Sequence, residues 1–132
     1  MGPAVMARVH GAFNMASGLW PILHLRSFEW VFGPKVDRWL VYTVAGLLTS
    51  VGYAQWRAGS HQDWPHARRM GVATSSTLLL IDLINVPRGR IRATYLIDAA
   101  AEATLLGAWI VTTEPDSKGR GAGAELQRLR GD

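Results

Sequence analysis

Two carboxylates stand four residues apart in an otherwise apolar, alanine-rich stretch, "YLIDAAAEATLLGAW", from Tyr95 to Trp109. Residues at this spacing are neighbours on one face of a helix, so Asp98 and Glu102 would lie about 6 Å apart. Acids this close titrate as a pair rather than independently. We interpret them as a proton or cation site. The alternative is that they only tie helices together through hydrogen bonds.

Further polar residues align with these acids when each apolar segment is projected as a helix. A rise of about 1.5 Å per residue places Glu102 about 16 Å from Ile91, and Asn14 at a similar distance from Leu25, so both approach the middle of a bundle. Asp82 and Asp98 are nearer one end. The predicted ligand-binding or proton-binding residues are Asp98, Glu102, Asp82, Asn85, Asn14, Thr43, Ser50 and Tyr95.

The connection "HLRSFEWVFGPKVDRW" carries several charged side chains and follows the first apolar segment. It falls at the end of the bundle to which Asp82 and Asp98 are closer. A polar mouth leading from this connection to the acids is predicted. Its predicted residues are His24, Arg26, Glu29, Asp37 and Arg38.

Other chemistries find less support in the sequence. There is no cysteine, which excludes disulfides, thiolate metal sites and thiol redox reactions. Asp82, Asp98, Glu102 and His24 have the ligand types of a metal site but no diagnostic spacing, and His10 is better explained as a packed, hydrogen-bonded residue. No nucleophile-and-base motif and no glycine-rich phosphate loop is present. The sequence therefore predicts neither a metal nor a cofactor.

Four apolar segments must position these residues. Val9 to Leu25 and Trp39 to Trp56 contain no charge, and two later segments reach a comparable length only by including the acids. The predicted fold is an all-α, up-and-down bundle of four transmembrane helices in one domain, residues 1–113. The expected spans are about 5–25, 36–56, 67–86 and 91–113, and residues 114–132 form a flexible polar tail. A soluble four-helix bundle with a tryptophan-rich core is the alternative.

Aromatic and basic residues at the ends of the segments favour the membrane interpretation. The six tryptophans and three tyrosines fall mostly near segment ends, as in the aromatic belts of membrane proteins. A net charge of +4 would indicate nucleic acid in a soluble protein, but the arginines flank apolar runs, where they reach lipid headgroups. No nucleic-acid partner is predicted; the expected partner is a lipid bilayer.

Localisation follows from the distribution of basic residues and from the start of the chain. Eight Lys and Arg fall on the side of both termini and six on the other, which favours cytoplasmic termini. The start, "MGPAVMARVHG", lacks the pattern of a cleaved signal peptide, so we expect the first span to be retained. The bacterial cytoplasmic membrane is the predicted location.

The segments "HLRSFEWVFGPKVDRWLVYTVAGLL" and "GRIRATYLIDAAAEATLLGAW" resemble a family of small bacterial integral membrane proteins with four predicted helices. The resemblance covers about residues 1–113. The residues that carry it are Ser27, Phe28, Gly33, Pro34, Lys35 and Asp37 in the connection, and Leu96, Asp98, Ala99 and Glu102 in the acidic segment. The resemblance implies four membrane helices and no particular activity. The architecture, four helices with acids facing an internal cavity, is also distantly similar to the emopamil-binding and sigma-2-receptor group. Members of that group hold sterol-like ligands in a cavity of this kind.

Three function classes remain open on the sequence alone. The first is a protein that binds or transports a lipophilic or cationic small molecule with proton coupling. The second is an isomerase acting on a sterol-like or isoprenoid-like lipid, in which Asp98 and Glu102 would supply an acid and a proton donor. The third is an accessory subunit of a membrane complex, which needs only a packing surface toward a membrane protein partner or a second copy.

Overall fold

The computed structural model describes residues 2–112 and 127–131, and within these ranges the only regular structure is helical. The four helices are α1 (Pro3–Phe32), α2 (Arg38–Ser60), α3 (Trp64–Asn85) and α4 (Tyr95–Val111). This confirms the predicted all-α fold of four helices. No helix among the described residues is both long enough and apolar enough to cross a membrane.

Consecutive helices run in opposite directions and pack against each other, and α1 also contacts α3 and α4. One end of the bundle, here called the terminus side, carries the start of α1, connection 61–63 and the end of α4. The other end, called the turn side, carries connections 33–37 and 86–94. The predicted tail, 114–132, lies outside the described residues except for 127–131, where 127–129 are helical.

The first helix continues well beyond the end of the predicted span at residue 25. Its backbone is non-helical at His24 (φ −149°, ψ 72°), so residues 25–32 form a second helical segment after a kink. The Trp20 indole N–H donates to Ser27 Oγ at 2.8 Å across this kink, and the Trp20 and Phe28 rings meet edge to face. The connection predicted to start at His24 is therefore largely helical, and the irregular connection is residues 33–37.

The last helix starts at Tyr95, four residues after the start of the predicted span at Ile91. The preceding segment is held against the end of α1 instead. Thr94 Oγ1 donates to the carbonyl oxygen of Val31 at 2.8 Å, and the Arg92 guanidinium donates to that of Trp30 at 3.3 Å. These two bonds fix the turn side of the bundle above the acidic residues of α4.

Glycines set the distance between α1 and α2. A Cβ added to Gly11 would lie 2.6 Å from the carbonyl oxygen of Gly52, and a Cβ added to Gly52 would lie 2.6 Å from that of Gly11. Neither backbone leaves room for a methyl group, so the two helices are in direct backbone contact here. Small residues at helix crossings allow this close approach.

The interior of the bundle is small and unusually polar. The buried hydrophobic residues are Met6, Ala7, Ala45, Ala67, Ala99 and Trp109, four of them alanines. The buried polar residues are His10, Asn14, Gln55, Ser75, Asp82 and Glu102. Large apolar side chains lie on the outside, and those more than half exposed include Leu23, Trp30, Leu47, Ile97, Ile110 and Val111. The outward-facing apolar surface and polar core are the reverse of a soluble helical bundle.

Candidate functional site

Glu102 lies at the centre of the polar core. Its side chain is 1% exposed, and neither carboxyl oxygen has a hydrogen-bond partner among the described residues. Asp82 Oδ2 on α3 and Asn14 Oδ1 on α1 are also buried without a partner there. Native structures rarely leave buried polar atoms unpaired, and such a group calls for an explanation, for example a bound ion or water.

Asp98 and Tyr95 extend the acidic cluster from Glu102 toward the turn side. The carboxyl groups of Asp82 and Asp98 are close enough to interact directly across the α3–α4 contact, and Tyr95 is close to both. Asp98 and Tyr95 are half-buried. The structure thus brings together the three acids that were expected to converge; their role in binding stays a prediction.

A hydrogen-bonded chain links three helices on the other side of Glu102. The Trp109 indole N–H donates to His10 Nδ1 at 2.9 Å, and His10 Nε2 lies 3.2 Å from Ser75 Oγ. Ser75 is close enough to Glu102 to act on its carboxyl group, although no hydrogen bond joins them. His10 is therefore a packed and hydrogen-bonded residue, as the sequence indicates.

Gln55 was not among the predicted residues, but it belongs to the same polar core. Asn14 Nδ2 donates to Gln55 Oε1 at 3.1 Å, and Gln55 Nε2 donates to the carbonyl oxygen of Ala67 at 3.3 Å. Gly71 leaves space for this arrangement, since a Cβ there would lie 2.5 Å from Gln55 Nε2. The sequence signal for Gln55 was an uncharged amide within the second apolar segment, four residues before Gly59.

The prediction that Thr43 and Ser50 face the core was wrong. Thr43 and Ser50 are exposed, and each hydroxyl donates to a carbonyl of its own helix, that of Trp39 and that of Gly46. The residues of α2 that face inward are Ala45, Gly52, Gln55 and Gly59. The close contact at Gly52 determines which side of α2 meets α1, and this side lies about half a turn from Thr43 and Ser50.

Asn85 is not part of the buried core either. It is only partly buried, and its Nδ2 donates to the carbonyl of Ile81 at 2.7 Å. Its amide is therefore bonded to its own helix, whereas Asp82, one turn earlier, faces the core.

The predicted mouth is a charged surface on the turn side. Glu29 accepts a hydrogen bond from the Lys35 backbone N–H at 3.1 Å. It also forms an ion pair with Arg38 at 3.3 Å. His24, at the kink, accepts the Ser27 backbone N–H at 3.2 Å and is exposed, as are Arg26 and Asp37. An exposed ion pair of this kind contributes little to stability.

Lys35 connects this surface to the acidic cluster. Its Nζ lies 4.7 Å from the centre of the Tyr95 ring and donates to the carbonyl oxygen of Phe32 at 3.2 Å. Burial lowers the pKa of Lys35, Glu29 partly opposes this effect, and Arg92 adds to it. Lys35 and Tyr95 together lie over the turn-side end of the cluster.

Clefts open on the surface of the described part of the chain, and two of them are well defined by their lining residues. One, of about 240 Å³, lies on the turn side and is lined by Phe32, Gly33, Pro34, Lys35, Gly89, Arg90, Ile91 and Arg92. The other, of about 740 Å³, lies near the start of α3 and is lined by Trp64, Pro65, Arg68, Arg69, Val72 and Ala73. Neither is lined by the three acids. Within the described ranges, no group of three or more His, Asp or Glu residues is arranged to hold a metal ion.

Comparison of the chain with protein-family models, with curated proteins and with solved structures finds no match. The resemblance to small four-helix bacterial membrane proteins therefore stays a prediction.

Proposed function

We propose that the chain is an integral protein of the bacterial cytoplasmic membrane that binds or transports a lipophilic or cationic small molecule with proton coupling. The distribution of side chains supports the membrane part of this proposal. Leu47, Ile97 and Ile110 are 63%, 67% and 78% exposed, while carboxylates, amides and a histidine are fully covered. Such a surface suits hydrocarbon, and such an interior is where membrane bundles place their polar groups.

The modest apolar character of the individual helices is compatible with this proposal. A helix in a bundle needs an apolar surface only on the side that faces lipid, because neighbouring helices cover the rest. In α3, for example, Ser75 and Asp82 reduce the average hydropathy of the helix but are buried against the other helices.

Glu102 is the observation that supports the binding part of the proposal. An ionisable group inside a membrane bundle is costly and is by default a mark of function. Glu102 has two unpaired oxygens, Asp82 has another, and Asn14 adds an unpaired carbonyl oxygen. All four atoms are acceptors, so the group that satisfies them supplies donors or positive charge. A proton, an ammonium group or a lipophilic cation has this property.

Cation binding can be tested with tetraphenylphosphonium as the probe, by calorimetric titration of the full chain in mild detergent. We expect Glu102→Gln to weaken binding by about tenfold or more, because it removes a charged interaction of about 1.5 kcal/mol or more. Asp98→Asn should have a similar effect. Each change keeps the shape of the side chain while removing its ionisation.

Asp63→Asn is the matched control, since Asp63 is exposed and lies in the connection before α3. It removes one negative charge far from the core and should leave binding unchanged. Equal affinities in all four proteins, or no binding by the unaltered chain, would contradict the proposed cation site. The acids would then be structural, as in the accessory-subunit alternative.

Membrane integration has a separate test. We expect the untagged chain to stay in the membrane fraction through an alkaline carbonate wash and to be released only by detergent, because its exposed apolar surface needs lipid. Recovery as a monodisperse species in detergent-free buffer would contradict integration and favour the soluble bundle.

A further inference from the structure

Trp109 determines the direction of the hydrogen bonds in the core. An indole N–H can only donate, so His10 Nδ1 must be the acceptor in their 2.9 Å contact. A neutral imidazole carries its one proton on the other nitrogen, so His10 Nε2–H donates to Ser75 Oγ. An imidazolium would point a second N–H at the Trp109 N–H, and the two donors would repel each other.

Ser75 must then direct its own hydroxyl proton elsewhere. Its neighbours Thr74 and Thr77 donate to carbonyl oxygens of their own helix, those of Met70 and Ala73. Ser75 makes no such bond among the described residues, and His10 already occupies one of its lone pairs. Of the buried acceptors that lack a partner among the described residues, the carboxyl group of Glu102 is the one that Ser75 is close enough to act on.

These directions stop proton movement on the terminus side of Glu102. Passing a proton along His10 would require Nδ1 to take one up while Nε2 releases one, and Nδ1 is blocked by a donor that cannot accept. On the turn side, by contrast, Asp98 and Asp82 carry carboxyl groups that can both donate and accept a proton, and the Tyr95 hydroxyl follows them.

The ionisable groups around Glu102 are His10 from α1, Asp82 from α3 and Asp98 from its own helix. The helix α2 contributes the uncharged Gln55.

We propose that Glu102 exchanges protons with only one side of the protein, the turn side, and that Trp109, His10 and Ser75 form a closed end. This inference rests on the proposed membrane location and adds a direction to the proposed proton coupling. His10 and Trp109 are positioning residues in it, since they act on Glu102 through Ser75.

The test uses the full chain in proteoliposomes, oriented during reconstitution by a terminal affinity tag, with dicyclohexylcarbodiimide as the probe. This reagent reacts with a protonated carboxyl group. The carboxyl oxygen bonds to the carbodiimide carbon, the proton goes to nitrogen, and migration of the acyl group from oxygen to nitrogen gives a stable N-acylurea. Mass spectrometry of the Glu102 peptide measures the adduct. No bound ligand is needed, so the result is independent of cation binding.

Raising the pH on the turn side alone should reduce labelling of Glu102 by about tenfold per pH unit above its titration midpoint. The same change on the terminus side alone should leave the labelling rate unchanged. Equal responses from the two sides, or a response from the terminus side only, would overturn the inference.

Trp109→Phe removes the blocking donor while keeping an aromatic ring, and we expect labelling in this variant to respond to pH on the terminus side as well. Unaltered one-sided labelling in a folded Trp109→Phe protein would contradict the role of Trp109. Should this variant not fold, nitrogen NMR of His10 in the unaltered chain decides. Protonated Nε2 with unprotonated Nδ1 across the pH range supports the closed end, and protonated Nδ1 overturns it.

Discussion

Alanine at position 71 is expected to lower the free energy of unfolding by about 3 kcal/mol, the upper end of the usual cost of overpacking. A Cβ at Gly71 would lie 2.5 Å from Gln55 Nε2, 2.7 Å from His10 Nδ1 and 2.9 Å from Trp109 Nε1. All three atoms take part in hydrogen bonds of the core. They cannot move away without breaking these bonds, so the methyl group adds strain and leaves buried polar atoms unpaired.

Gly107→Ala is the matched control, because Gly107 lies within α4, four residues before its end, with no atom within 4 Å of an added Cβ. Alanine should be neutral there or stabilise the helix by up to about 1 kcal/mol. The measurement is denaturation in mixed micelles of mild detergent and dodecyl sulfate, followed by circular dichroism. If the Gly71→Ala protein were as stable as the Gly107→Ala protein, Gln55, His10 and Trp109 would not be packed against Gly71 as the structure shows.

The helices and part of the core could be predicted from the sequence for a simple reason. Charge-free runs bounded by Arg, Pro and Gly mark helix ends, and the spacing of Asp98 and Glu102 identifies one face of α4. The burial of Asn14, Asp82 and Glu102 was predicted from the proposed membrane setting, in which exposing such groups to an apolar medium has a high cost. These signals are local, because each one lies within the sequence of a single helix.

The inner face of α2 could not be predicted in this way. Its polar and aromatic residues, including Thr43 and Ser50, define a plausible stripe, but their hydroxyls are satisfied by the carbonyls of their own helix. The face is determined by contact of Gly52 with Gly11, a property of two helices together. Glycines occur on several faces of α2, so composition alone does not indicate which one is used.

The partners within the core were also outside the reach of sequence reasoning. His10 and Trp109 are 99 positions apart, and Asn14 and Gln55 are 41 apart. Helical projection indicates whether a residue faces the core. Pairing also depends on how far along the bundle axis the residue lies relative to residues of the other helices. That relative position follows from glycine contacts and from the kink at His24, where a continuous helical pattern conceals a change of direction.

A distinction between paired and unpaired polar residues follows from this network. Asn14 donates to Gln55, so its amide contributes to holding α1 and α2 together. Glu102, equally buried, has no hydrogen bond of ordinary geometry to offset its removal from water, although Ser75 is close enough to act on its carboxyl group. Replacing a paired and an unpaired group by apolar side chains should therefore change stability in opposite directions.

Asn14→Leu should destabilise the protein by about 1 to 2 kcal/mol, because it leaves Gln55 Oε1 buried without a donor. This variant is the comparison for the corresponding change at Glu102. Both residues are fully buried, and both changes replace a polar side chain by an apolar one.

Glu102→Met is expected to raise the free energy of unfolding by about 2 kcal/mol, because an unpaired buried polar group costs about 1 to 3 kcal/mol and methionine is unbranched and of similar length. The same mixed-micelle denaturation measures it, and tetraphenylphosphonium titration should show that binding is lost. Stability gained with function lost is the usual signature of a destabilising residue kept for its chemistry. A loss of stability of about 1 kcal/mol instead would show that Glu102 ties helices together, since that is the scale of interhelical hydrogen bonds in membranes. Retention of cation binding in a stabilised Glu102→Met protein would assign the site to Asp82 and Asp98 instead.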